Sequence, residues 1–197
     1  MPIAYDQILA AANTSGIGVE KYLRDRLPWV WRDAYLKMST RASDIVIFKY
    51  GAFEYIYDIH QSMGAVGGFG PNKEHSARVI AVIGNSSTQH LARDNARLKG
   101  MLLTSDESLM GPWDRGHYIG HKMGGRVDGN EANVFLQLRS INRGKYRVME
   151  AYCAANPGVL CFSRPIYGDS SAQPMAIDFG VLKSNIDLWV QTMPNRN

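Results

Sequence analysis

The chain is poor in the features that would mark it as secreted, membrane-spanning or metal-scaffolded. It has only two cysteines in 197 residues, too few for a disulfide framework or a cysteine metal cluster. Cys153 and Cys161 therefore read as buried free thiols. No apolar run approaches the roughly 20 residues that span a bilayer. The start, Met1-Pro2-Ile3-Ala4-Tyr5-Asp6, has neither the basic beginning nor the apolar stretch of a signal peptide. The expectation is a protein that is cytoplasmic at synthesis, with delivery to another cell requiring a route that reads no cleavable signal. There is no internal repeat, low-complexity tract or convincing linker.

What is present is ordinary globular material: 45% hydrophobic, 20% charged, 19 glycines and a formal net charge of +4. Residues 5 to 38 read as helical, broken at Ser15-Gly16-Ile17-Gly18, with Pro28 marking a boundary or a first turn. The aromatic cluster Trp29, Val30, Trp31, Tyr35 and Leu36 reads as core. Residues 44–50 and 53–59 are β-branched and aromatic around Gly51, a hairpin signal. The glycine-rich stretch 62–72 lacks a following Gly-Lys-Ser/Thr and reads as a surface loop. Arg78 to Ile83 reads as a strand and Thr88 to Lys99 as a helix. Further strands are expected at Val134–Leu138, Val159–Ile166 and Met175–Leu182, with helices over Lys145–Ala155 and Ile186–Met193. The economical description is an α+β fold: an N-terminal helical extension over 1–40 and a second unit over 41–197.

Charge concentrates in one stretch. Residues 111 to 150 hold seven Lys/Arg against four acids, most of the chain's excess. Within it lie His117, able to take a proton near neutrality, oxygen donors suited to a hard cation, and arginines suited to phosphate. If a helix starts just after Asn142, then Glu150, eight positions on, lies about two turns along the same face. Both oxygens could then point at one centre, and Mg²⁺ takes only one or two protein oxygens. Asn142 as a simple helix N-cap is the alternative reading, and the two roles are not exclusive. These are the parts of a phosphodiester hydrolase. His121, four residues after His117, suggests an H-x-x-x-H zinc pair, but the surrounding glycines argue against a helix presenting both rings, and a role behind the metal ligands or in packing is expected. His60, His75 and His90 have no partner pattern.

Asp114-Arg115-Gly116-His117, Asn133-x-x-x-Gln137 and Asn142-x-Gly-x-x-x-x-x-Glu150 together resemble the motifs of the non-specific DNA/RNA endonucleases of the ββα-metal class. The continuation Gly-His-x-x-Gly-His-x-x-Gly-Gly is most similar to a bacterial branch found as toxin domains. The likeness covers residues 113 to 150, with a weaker part at Arg164-Pro165-Ile166-Tyr167. It implies a ββα-metal nuclease core with a central antiparallel sheet. It also implies His117 as general base, Asn142 as direct Mg²⁺ ligand, and Glu150 as an acid holding metal-bound water or orienting a basic side chain. Arg115 would lie near the phosphate, Asp114 would organise the loop, and Asn133 and Gln137 would brace it. The cofactor implied is Mg²⁺, with Mn²⁺ as substitute.

Arg139, Arg143, Lys145 and Arg147 read either as an ordinary solvated helix face or as phosphate contacts on either side of the cut, with little sequence preference. A further arginine is expected upstream, where Arg78, Arg93 and Arg97 are candidates. The substrates expected are DNA, with RNA as a second. A catalytically silent nucleic-acid-binding module and a sequence-specific nuclease of the same class are the alternatives. An unrestrained nuclease would attack its own cell's genome, so a toxin or defence effector held by an inhibitor or immunity protein, or by self-association as a homodimer, is the expected setting.

Overall fold

A computed structural model of the chain describes residues 2–39, 43–59, 77–88, 111–126, 131–169 and 171–196. Two N-terminal helices, α1 (Tyr5–Thr14) and α2 (Val19–Met38), precede the strands β1 (Ile45–Tyr50), β2 (Phe53–Asp58) and β3 (Arg78–Asn85). Strands β4 (Trp113–His117) and β5 (Val134–Leu138) lead into a kinked helical turn and then helix α3 (Arg147–Ala155). Strands β6 (Leu160–Ile166), β7 (Ala176–Ser184) and β8 (Asp187–Pro194) close the chain. Six strands form one sheet in the order β1-β2-β3-β6-β7-β8, and β4 pairs with β5 in a separate ribbon. Every pairing is antiparallel. The architecture is thus mixed α and β around an antiparallel sheet.

Period-two alternation in the sheet produces two cores. On one face Tyr55, Val82, Cys161, Phe179 and Val181 meet Tyr118, Phe135, Tyr146 and Met149 from the ribbon and α3. On the other, Ile56, Ile80, Ile83 and Phe162 meet Leu23, Leu27, Trp31 and Tyr35 of α2 and Tyr5 of α1. The sheet is a middle layer between the N-terminal helices and the ribbon with α3. Gly180 makes the second core possible: the Phe162 ring lies where its Cβ would be. Phe162 stacks there on Tyr5 at 5.4 Å and tilts against Trp31 at 5.0 Å.

The hairpin at 44–59 forms as expected, with Gly51 at φ +67°, a conformation that favours glycine. Three expectations fail. Trp29 and Leu36 are exposed rather than core, so only Trp31 and Tyr35 of that cluster are buried on the sheet. Pro28 does not bound a helix, because α2 runs through it. Leu23, Leu27, Trp31, Ala34 and Tyr35 form one buried stripe at helical spacing, and seating that stripe on the sheet outweighs the cost of a proline inside a helix. Ile186–Met193 is not a helix but most of β8, which pairs with β7 from Ser184↔Asp187 to Ala176↔Pro194. Its Trp189, Val190 and Thr192 suit a pleated edge, and the neighbouring strand, invisible to local periodicity, decides the outcome.

Cys153 and Cys161 are free and buried. The readings at 62–72 and 89–99, and those of His60, His75, His90, Arg93 and Arg97, lie outside the described residues.

Candidate active site

The site is built at the junction of the β4–β5 ribbon and α3. In the antiparallel register Arg115 pairs with Leu136 and His117 with Val134, so the arginine and the histidine, two apart, leave the same face of β4. Asp114 pairs with Gln137 and leaves the other face. Gly116 is required between them because the Gln137 side chain occupies the position of its Cβ. Gln137 is fully buried, and neither atom of its amide has a hydrogen-bond partner among the described residues.

The chain after His117 is held by Asn133. Its Nδ2 donates to the carbonyl oxygens of Ile119 (2.9 Å) and Arg126 (3.0 Å), and its Oδ1 accepts the Ile119 N–H at 2.9 Å. The Tyr146 hydroxyl donates to the Tyr118 carbonyl at 2.7 Å, tying the same loop to the start of α3. Asn195, near the C-terminus and fully buried, accepts the Leu138 N–H (2.8 Å) and donates to the Leu136 carbonyl (2.9 Å). β5 is therefore pinned to the end of β8, a brace that no local signal at Asn195 announces.

Asn142 and Glu150 do come together, but not along one uninterrupted helix. Gly144 is non-helical at φ −105°, ψ −115°, and α3 proper begins at Arg147. Nor is Asn142 an N-cap: its side chain makes no capping bond, and its Nδ2 donates instead to Asp114 Oδ2 at 3.1 Å. Because a carboxylate only accepts, this bond sets which way the amide lies. Asn142 Oδ1 is turned away from Asp114, and none of the described residues donates to it.

Asp114 also receives Arg143 (Nε, 2.9 Å; Nη2, 3.1 Å) and Arg139 (Nε, 3.2 Å). Partial burial works to raise its carboxyl, but the hydrogen bonds from Arg143, Asn142 and Arg139 outweigh it and hold the group below its usual range. Asp114 is thus the organiser of the turn that carries Asn142. It partly neutralises two of the arginines read as phosphate contacts.

A cavity of about 470 Å³ opens over this junction, walled by Arg115, His117, Asn142, Arg147 and Glu150, with Arg143 at its side. Arg139 and Arg78 do not line it. His121 and Lys122 do; the sequence pattern gives His121 a role behind the metal ligands or in packing and assigns Lys122 none. The short turn His121–Met123 presents them across from α3, and the repeated Gly-His spacing was the one signal that pointed there. Lys122, Arg115, Arg143 and Arg147 make the cavity cationic, with Glu150 as its acid.

Glu150 sits against Gly120, where a Cβ would strike its carboxyl. Burial pushes the Glu150 carboxyl up to about 7, with Arg147 opposing. A raised folded-state value means the neutral acid is favoured by folding. Its stability contribution is complete below the ordinary value of 4.5 and is lost as pH rises through about 7. In EDTA, the urea midpoint of the wild type should fall between those pH values more steeply than that of Glu150→Gln. Parallel pH profiles would contradict the burial of this acid.

No protein-family model matches this chain, and no curated protein matches it. The donor chemistry suits a hard cation: Asn142 Oδ1 and the Glu150 carboxylate are the hard oxygens of the cavity, and a divalent ion that keeps most of its water needs no more. Among the described residues no group of three or more His, Cys, Asp or Glu side chains is placed to hold a metal.

Proposed function

We propose that the chain is a Mg²⁺-dependent endonuclease that hydrolyses phosphodiester bonds of DNA, and of RNA, with little sequence preference, on a ββα-metal core formed by β4, β5 and α3. The observation that carries this is the convergence on one cationic cavity of an imidazole, an amide oxygen fixed by Asp114, and arginines from two elements. Bound Mg²⁺, or Mn²⁺, would supply Lewis-acid stabilisation of charge on the phosphorane and the departing oxygen. Asn142 and Glu150 would hold it. His117 would take the proton of the attacking water. Arg115 and Arg147 would receive phosphate oxygens, and Arg143 would add to them from its bond with Asp114.

Contacts of this kind bind backbone rather than bases, so cleavage should be strongly salt-dependent and broad in sequence. Such an activity needs restraint in the cell that makes it, and the setting proposed is a toxin or defence effector with a cognate inhibitor. No helix among the described residues is long and apolar enough to cross a membrane.

Supercoiled plasmid tests the reading. The wild type should convert it to nicked and linear forms in Mg²⁺ and stop in EDTA. Asn142→Ala should need a much higher Mg²⁺ concentration for the same rate. Cleavage that is indifferent to EDTA, or an Asn142→Ala variant with an unchanged Mg²⁺ requirement, would remove the metal from the scheme. Discrete bands on random-sequence DNA would replace a non-specific enzyme with a sequence-specific one.

A further inference from the structure

A second cavity, of about 150 Å³, lies between the C-terminal half of α2, the start of β3 and the end of β6, walled by Trp31, Tyr35, Arg78, Ile80 and Tyr167. Arg78 is 4% exposed. Its Nη2 donates to the Asp169 carbonyl at 2.6 Å, while its Nε is buried with no acceptor among the described residues. The guanidinium carbon lies 4.6 Å from the centroid of the Tyr167 ring. That ring is itself held by a 2.8 Å hydrogen bond to the Val79 carbonyl and by the edge of Tyr35. Arg78 is therefore a preorganised cation, not a solvated one.

Neighbouring carboxylates are committed elsewhere. Asp178 accepts Arg164 at 2.8 Å, and Asp169 pairs with Arg196. Asp58, opposite Arg78 in the β2–β3 register, accepts the Tyr35 hydroxyl at 2.6 Å and the Asp44 N–H at 3.0 Å. Among the described residues no carboxylate is within ion-pair distance of Arg78. A buried guanidinium with an idle donor is costly unless something accepts from it.

We propose that this cavity is a binding site for a small organic carboxylate, distinct from the cavity over α3. The Arg78 guanidinium donates to the anionic end, and the ligand's planar or apolar body packs against Trp31, Tyr35 and Ile80. A volume of this order accommodates one benzene-sized ring. Arg164 and Asp169 also line the cavity, but Arg164 is paired with Asp178 and Asp169 with Arg196, so Arg78 is the arginine there without a carboxylate, and one such guanidinium beside aromatic walls suits a monoanion, whereas a phosphate dianion would demand more donors.

Benzoate is the probe, titrated into the full chain and followed by the indole N–H resonance of Trp31 and by calorimetry. Saturable binding with a dissociation constant of about 1 mM or tighter is expected for a ligand of this size. Benzamide, neutral and of the same shape, and inorganic phosphate should each bind at least about tenfold more weakly, a difference of order one charge-assisted hydrogen bond. Arg78→Met should lose the preference for benzoate over benzamide. Ala34→Leu, which fills the cavity wall and keeps Arg78, should abolish binding, and it covers the case in which Arg78→Met does not fold. No shift of the Trp31 signal, equal binding of benzoate and benzamide, or tighter binding of phosphate would each overturn the proposal.

Discussion

His117→Ala should lower the Mg²⁺-supported cleavage of plasmid by about 10²- to 10⁴-fold, the range a positioned general base contributes. His117 closes β4 opposite Val134, on the face that also presents Arg115, and it lines the cavity with Asn142 and Glu150. The Asp114 network and the Asn133 braces do not pass through it, so the variant should keep the wild-type melting temperature within a few degrees. The two site variants then separate by their response to metal. Raising Mg²⁺ should recover part of the Asn142→Ala rate and none of the His117→Ala rate. Added imidazole should recover part of the latter, since the vacated space adjoins a cavity of about 470 Å³. A His117→Ala enzyme that cuts at the wild-type rate would eliminate the histidine as base.

The largest stability effect is expected at Asp178, on the opposite face of the sheet. Its Oδ2 accepts Arg164 Nη1 at 2.8 Å and the Tyr5 hydroxyl at 2.9 Å, and its Oδ1 accepts the Thr192 hydroxyl at 2.7 Å. Asp178 and Arg164 are 2% and 3% exposed, so removing the carboxylate strands a buried guanidinium. Breaking one side of such a pair costs about 3–5 kcal/mol, which for a chain of this length lowers the melting temperature by roughly 6–20 °C. Asp178→Ala should show that loss in thermal denaturation. Tyr5→Phe, which removes the two hydrogen bonds of the Tyr5 hydroxyl and leaves the ion pair, should cost less, about 1–3 kcal/mol. An Asp178→Ala variant as stable as Tyr5→Phe would mean that the pair contributes no more than those hydrogen bonds. Tyr5 also accepts the Trp31 indole N–H at 3.1 Å, so Asp178 ties both N-terminal helices to β6, β7 and β8.

Local chemistry carried much of this molecule in legible form. Alternating β-branched and aromatic residues around Gly51 specified a hairpin, because a two-residue period needs only neighbours to be expressed. The charge excess at 111–150 and the order Asp114, His117, Asn133, Gln137, Asn142, Glu150 pointed to one region, because residues on a short ribbon and the helix after it stay close in space as well as in sequence. The helical stripe of α2 was readable, but its passage through Pro28 was not. A proline's local penalty is visible in sequence, whereas the sheet face that offsets it is 52 and 134 residues away, in Ile80 and Phe162. β8 failed for the same reason: Ile186–Met193 has a tolerable helical pattern until β7 is beside it.

At the site, residue types were decided by sequence and orientations by tertiary structure. That Asn142 lies in one cavity with Glu150 follows from a kink at Gly144 and a bond to Asp114, not from two turns of one helix. That Arg139 and Arg143 pair with Asp114, that His121 and Lys122 face the cavity, and that Arg78 belongs to a separate one were set by long-range packing. By itself the sequence determined which chemical groups this protein owns and which of them travel together along the chain. Only the folded structure decided which atoms of those groups are occupied and which are left to meet a ligand, because hydrogen-bond partners are chosen among all groups brought close in space, most of them distant in sequence.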